Sequence, residues 1–225
     1  MFDGGAGCFG LIAQKKKNML PINTIYCIGR NYVAHIAELN SETPTEPLIF
    51  LKPNSSVLAG NVITLPAFSQ NVHYETELVV QIGQDCEQIA PENAMSLISA
   101  YAVGLDLTAR DVQAEVKQKG LPWTKAKAFK GAACLSDWVA ADKLPSNSAI
   151  EFTLTVNGEP KQHGNTSLMI DSLPFLISYL ADLYGLKRGD IVFAGTPAGV
   201  GQLHSGDVLE LDLHHSLATA RFEVA

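Results

Sequence analysis

The sequence is poor in charge. Only 17% of its 225 residues are Asp, Glu, Lys or Arg, against about 25% in typical soluble domains. This deficit predicts surface hidden from water, most simply against a second copy of the chain, so a homodimer is the expected assembly. Basic clusters are scarce too: the one run is Lys15-Lys16-Lys17, and 16 Lys and Arg stand against 23 Asp and Glu for a formal net charge of −7. Neutralising phosphates needs clustered Lys and Arg, which argues against nucleic acid as the main partner. No run of 18 or more apolar residues occurs, so no membrane-spanning helix is expected. The stretch from Gly4 to Ala13 is mildly apolar, but its positive charges follow it, the reverse of a secretory signal. Cys8, Cys27, Cys86 and Cys134 form no Cys-x-x-Cys pair. They read as reduced, packed thiols, with the cytoplasm as the expected compartment.

What is present is a globular pattern, 47% hydrophobic and without a composition break. Residues 1–20 read as a leader and 21–225 as one domain. Short strands dominate: Thr24–Ile28, Leu48–Lys52, Val62–Leu65, Glu75–Gly83, Ala102–Leu107 and Glu151–Val156, the last meeting the hairpin signal Asn157-Gly158. Helices are expected over Asn31–Leu39, Pro91–Tyr101, Ser172–Tyr184 and a segment capped by Thr108 that runs to about Lys119. Leu186-Lys-Arg-Gly-Asp-Ile-Val recurs as Leu203-His-Ser-Gly-Asp-Val-Leu, two Gly-Asp turns each feeding a strand. Two copies are too few for a repeat array. The class is α+β, dominated by antiparallel or mixed sheet.

Glu75 and Glu77 are two apart on a strand and so share a face. Asp106 ends a hydrophobic strand. Glu-x-Glu alone also describes a solvated strand face. If the three met without a cation, repulsion would reach several kcal/mol per pair, taking about 4 Å and an effective dielectric of about 20. An oxygen-only set suits a hard cation, Mg²⁺ or Mn²⁺, with Ca²⁺ as a further option. His73 shares the strand face and reads as a structural hydrogen-bonding group rather than a ligand. Gly195–Gly201 lacks the Lys of a phosphate-binding P-loop and the βαβ setting of a dinucleotide site. Its backbone and Thr196 suit a substrate carboxylate instead.

Five ordered segments resemble the fumarylacetoacetate hydrolase family. They are Ile28-Gly-Arg-Asn-Tyr-Val-Ala-His-Ile-Ala-Glu38, His73-Tyr-Glu-Thr-Glu-Leu, Gly104-Leu-Asp-Leu-Thr-Ala-Arg-Asp-Val-Gln113, Leu121-Pro-Trp-Thr-Lys-Ala-Lys127 and Gly195-Thr-Pro-Ala-Gly-Val-Gly201. The likeness runs from about Ile25 to Leu213 and is nearest the short acylpyruvase and oxaloacetate decarboxylase branch. It implies a mixed β-sandwich roll of the family's C-terminal-domain type with a few short helices, usually a homodimer. It implies that Glu75, Glu77 and Asp106 bind the metal, that Lys127 polarises substrate oxygen, and that His35 with Glu38 activates water.

His35 and Glu38 sit at i and i+3, which lets the carboxylate orient the imidazole on a helix. The same pair on a solvated helix would be ordinary surface. Arg30, Arg110 and Gln113 can hold a substrate carboxylate, although first-turn packing also accounts for Arg110 and Gln113. Lys125 and Lys130 read as solvated charge, His214 and His215 as tail surface, and Trp123 and Trp138 as core. The expected activity is metal-dependent hydrolysis of a C–C bond in a small 2,4-diketo acid through an enolate. Oxaloacetate decarboxylation and keto–enol tautomerisation or dienedioate isomerisation on the same site are the enzymatic alternatives. A metal-stabilised binding module is the non-enzymatic one.

Overall fold

The computed structural model describes residues 20–38, 42–144 and 149–225. The expected leader lies, except for Leu20, outside the described residues.

The largest sheet orders its strands Leu48–Lys52, Ile25–Gly29, Ile191–Phe193, Thr76–Ile82, Ile98–Asp106 and Ala133–Leu135, and Val139–Ala140 also pairs with Ile98–Asp106. Only the Ile25–Gly29 and Ile191–Phe193 pair is parallel in it. A second sheet runs Glu159–Asn165, Glu151–Val156, Val208–Leu213, Ala218–Val224 and Val62–Ile63. Between the two sheets lies the main core. Leu78, Val80, Val103 and Leu105 face Phe152, Leu154, Leu209 and Leu211 across it, and the helix Leu173–Tyr184 closes one side with Leu176, Ile177 and Leu180. This is the expected β-sandwich roll.

The strand Glu151–Val156 alternates half-buried and buried residues as its sequence dictates. Its turn places Asn157 and Gly158 at φ 54° and 79°, the left-handed pair that matches strand twist. The repeated Gly-Asp segments build the same turn twice. Asp190 accepts from the Lys187 amide at 2.8 Å, and Asp207 from the His204 amide at 2.7 Å.

Three elements differ from expectation. Helix after Pro91 stops at Ala94, a 3-10 turn follows at Met95–Leu97, and strand begins at Ile98. The apolar run Ile98–Tyr101 pairs with Thr76–Ile82, and that pairing outweighs its local helical pattern. Thr108 does not cap a helix. It lies in the strand Thr108–Ala109, and the helix Arg110–Gln118 starts after Ala109 with no side-chain cap. The strand Thr76–Ile82, whose alternation of Thr76, Leu78, Val80 and Ile82 with Glu77 and Gln81 predicts one buried face, is buried on both: Val79 packs into a second cluster with Cys27, Ala102 and Phe193.

A third, small sheet orders Gly201–Gln202, Val72–Tyr74 and Thr108–Ala109. Two chains leave the large sheet for this one at the same corner. One crosses at Glu75, between Tyr74 and Thr76. The other crosses after Asp106. The two residues meet there, with the Asp106 amide donating to the Glu75 carbonyl at 2.8 Å. At the corner the Thr76 amide takes a side-chain acceptor, Gln162 Oε1, at 2.8 Å. A corner of this kind aims side chains inward that a continuous ladder would alternate.

Candidate metal and enolate site

Glu75, Glu77 and Asp106 are all buried and converge at this corner. Each offers a carboxylate oxygen within 4.8 Å of the others. Opposite Glu77 lies Gly104, where a Cβ would stand 2.6 Å from the Cys134 carbonyl. Glu77 Oε2 also accepts the Gly195 amide at 2.8 Å. Gly195 has φ 104°, and a Cβ there would stand 2.6 Å from that of Asn31, so only glycine lets this loop reach the carboxylate.

Three cations surround the triad. Lys127, from the short helix Thr124–Lys127, places Nζ 2.7 Å from both Glu75 Oε2 and Asp106 Oδ2. It also lies 4.9 Å from the centre of the Phe50 ring. Arg110 Nη2 donates to Glu75 Oε1, while its Nη1 donates to Gln113 Oε1 at 2.6 Å. Lys52, only 1% exposed, lies 2.7 Å from Asp106 Oδ1 and donates to the Lys127 carbonyl. Sequence reasoning missed Lys52. Its one signal was a charge closing the otherwise apolar run Leu48–Lys52.

The electrostatics follow from this arrangement. Burial and the neighbouring Asp106 and Glu75 charges push the Glu77 carboxyl well above the usual carboxylate range. Burial acts the same way on Glu75, but Lys127, Arg110 and His35 outweigh it and hold that carboxyl below its usual range. Burial opposes the Lys127 charge, yet Asp106 and Glu75 prevail and hold the ammonium above the usual lysine range. Asp106 Oδ1 lies beside Lys52 off the line of a hydrogen bond and accepts none among the described residues. An oxygen-only donor set with an unsatisfied buried oxygen fits a divalent metal ion.

His35 sits in the helix Val33–Glu38 and lines the same cleft as the triad. Its Nδ1 lies 3.2 Å from Glu38 Oε2, and Glu38 Oε1 accepts the Gly199 amide at 3.0 Å. Glu38 thus ties the helix to the Gly-rich loop. His35 Nε2 has no hydrogen-bond partner among the described residues. Arg30, Arg110, Gln113 and Thr196 line the cleft as well. The Thr196 hydroxyl is already engaged, donating to the Thr76 carbonyl and accepting from Gln162 Nε2, each at 2.8 Å. All ten site residues expected from sequence therefore lie in or against one cleft.

His73 Nδ1 is buried with no hydrogen-bond partner among the described residues, so its expected structural hydrogen bond is not made through that atom. Trp123 is half-buried against a third cluster of Ala109, Val112, Val116 and Ala126 and also lines the cleft, and Trp138 is half-buried against the second cluster. Lys125, Lys130 and His215 are exposed and His214 is half-buried.

Residues 24–225 match the family described as fumarylacetoacetate (FAA) hydrolase C-terminal. Human oxaloacetate tautomerase FAHD1, mitochondrial, is 43% identical over 201 residues, covering 89% of this chain and 90% of that protein. Oxaloacetate tautomerase YcgM of Escherichia coli K12 is 41% identical over 204 residues, covering 88% and 92%. A crystal structure of fumarylpyruvate hydrolase from Pseudomonas aeruginosa in complex with Mn²⁺ and pyruvate superposes with a TM-score of 0.88 at 32% identity, covering 94% and 93%. The convergent acidic triad, the sandwich that carries it and these likenesses agree: the chain is an enzyme of the fumarylacetoacetate hydrolase family.

Proposed function

We propose that this chain is a divalent-metal-dependent keto–enol tautomerase acting on oxaloacetate. The observation that carries the reading is a single cleft lined by three buried carboxylates, Lys127 and His35, whose Nε2 has no partner among the described residues. Oxaloacetate as substrate is supported by the human and E. coli relatives. Those relatives favour this isomerase reading over the hydrolysis expected from sequence.

Glu75, Glu77 and Asp106 would hold Mg²⁺ or Mn²⁺, and the donor set also accepts Ca²⁺. When bound, the ion supplies a Lewis acid that draws electron density from the 1-carboxylate and 2-keto oxygen. His35 Nε2 takes a proton from C3 of the keto form. The electron pair of that C–H bond becomes the C2–C3 double bond, the C2=O π pair moves onto the 2-oxygen, and that oxygen takes the proton from the His35 imidazolium. Glu38 on Nδ1 fixes the tautomer and stabilises the imidazolium in between. The Lys127 ammonium offsets the negative charge developing on oxygen. Arg30, Arg110, Gln113 and Thr196 are the proposed substrate contacts, with Thr196 acting through its backbone or as an acceptor.

Hydrolysis of a 2,4-diketo acid is the second reading, favoured by the Mn²⁺ and pyruvate in the P. aeruginosa neighbour. There His35 would direct water at the 4-carbonyl. A homodimer of this chain in the cytoplasm completes the proposal, although the human relative is named as mitochondrial. The metal-loaded protein should be given enol oxaloacetate and acetylpyruvate separately, with enol loss and pyruvate release both followed. Enol loss without matching pyruvate is expected. Faster turnover of acetylpyruvate to pyruvate would make the enzyme a hydrolase, and pyruvate from oxaloacetate a decarboxylase.

A further inference from the structure

Arg110, Gln113 and Lys117 occupy positions i, i+3 and i+7 of the helix Arg110–Gln118, so they form one stripe on its surface. The stripe begins at the triad, where Arg110 grips Glu75. It ends about 10 Å further along the axis by helical rise. Side chains on a helix lean back toward its N-terminus, which brings the Lys117 ammonium toward Gln113 and the cleft. Lys117 indeed lines that cleft together with Arg30, and its Nζ lies 6.0 Å from the centre of the Trp123 ring.

These two cations differ from the inner three. Lys52, Lys127 and Arg110 each pair with a triad carboxylate. Neither Lys117 nor Arg30 has a carboxylate within ion-pair distance among the described residues, and Arg30 donates only to the Glu42 carbonyl, at 3.0 Å. Each inner cation is therefore already committed to Glu75 or Asp106. The outer pair is surplus positive charge at the open end of the site. Burial and the nearby Arg30 and Arg110 charges lower the Lys117 pKa.

We propose that Lys117, with Arg30, binds the second carboxylate of a dicarboxylic 2-keto acid and so selects doubly charged substrates over singly charged ones. The proposal rests on the enolate reading above for the placement of the first carboxylate at the metal. It adds the element that separates oxaloacetate from a neutral-tailed acylpyruvate. With one carboxylate at the metal and the other met by the Lys117 ammonium, which leans back toward the cleft, C3 would align with His35 between them.

The test uses L-malate and L-lactate, which carry the same carboxylate and 2-oxygen and differ in the distal carboxylate. Their affinities for the Mg²⁺-loaded full chain are measured by calorimetry, for the parent and for Lys117→Met, which keeps the stem against Trp123. Malate binding should fall about tenfold in the variant, in line with a lost charge-assisted contact, and lactate binding should stay within about twofold. Lys117→Arg should keep most of the preference for malate. An equal fall for both acids, or no fall for malate, would overturn the proposal. Malate selectivity without tautomerisation of oxaloacetate by the parent would instead uphold this subsite and remove the enolate reading.

Discussion

Lys52 Nζ and Asp106 Oδ1 lie 2.7 Å apart, both side chains buried, at the corner where two chains leave the large sheet. This pair binds the strand Leu48–Lys52 to the end of Ile98–Asp106, and the Lys52 bond to the Lys127 carbonyl binds the Lys127 backbone to both. Removing one partner of a buried pair leaves an uncompensated charge, at a cost of about 3–5 kcal/mol. Lys52→Met should lower the metal-free unfolding free energy by about that amount in urea titration. A change below about 1 kcal/mol would show that the pair does not hold the corner.

Metal binding should stabilise the chain through the same carboxylates. At 100 times its dissociation constant a ligand adds about 2.7 kcal/mol, which is about 5–11 °C in Tm for a chain of this size. Mg²⁺ or Mn²⁺ should raise the Tm of the parent by that amount, and a chelator should reverse it. Asp106→Asn and Glu75→Gln should lose the shift. A shift that survives both substitutions would place the ion elsewhere.

His35 is expected to act on protons and not on the metal. His35→Gln should lower kcat by about 10²–10⁴ while leaving the metal-induced Tm shift intact. Loss of both together would make His35 part of metal binding.

Asp111 anchors the start of the helix that carries Arg110, Gln113 and Lys117. Burial weakly opposes its ionisation. Hydrogen bonds from the Ser69 hydroxyl at 2.6 Å, the Gln70 amide at 2.9 Å and the Val112 amide at 2.8 Å outweigh it and hold the carboxyl below its ordinary 3.8. A carboxyl lowered on folding adds stability above its unfolded pKa and loses it as pH falls through the folded one. Stability should therefore drop below about pH 4 in the parent, and Asp111→Asn should flatten that part of the curve. Parallel stability curves for parent and variant between pH 2 and 5 would contradict the assignment, with the pH range set by the ordinary carboxylate value.

The metal site was legible because its chemistry is local in sequence. Glu75 and Glu77 share a strand, His35 and Glu38 share a helix, and Asp106 ends an apolar run. What escaped depended on distant chain meeting distant chain. Beyond its place at the end of an apolar run, nothing local marks Lys52, whose partner Asp106 comes from a strand not adjacent to its own in the large sheet. Gln162, buried on the hairpin strand Glu159–Asn165, reaches Thr76, Thr196 and Pro197 from the second sheet, and no local spacing marks it. The run Ile98–Tyr101 is apolar enough for either helix or strand, and only its partner strand decides. The break at Glu75 arises because one chain serves two sheets, which period-two alternation cannot announce.

The most direct test of the account is the rate at which the Mg²⁺-loaded protein converts enol oxaloacetate to its keto form, followed by loss of the enol's ultraviolet absorbance. Acceleration above Mg²⁺ in buffer is expected. It should disappear with a chelator or Asp106→Asn and fall by about 10²–10⁴ with His35→Gln. A rate no faster than Mg²⁺ alone, or one unaffected by both substitutions, would contradict a metal-enolate site at this corner of the fold.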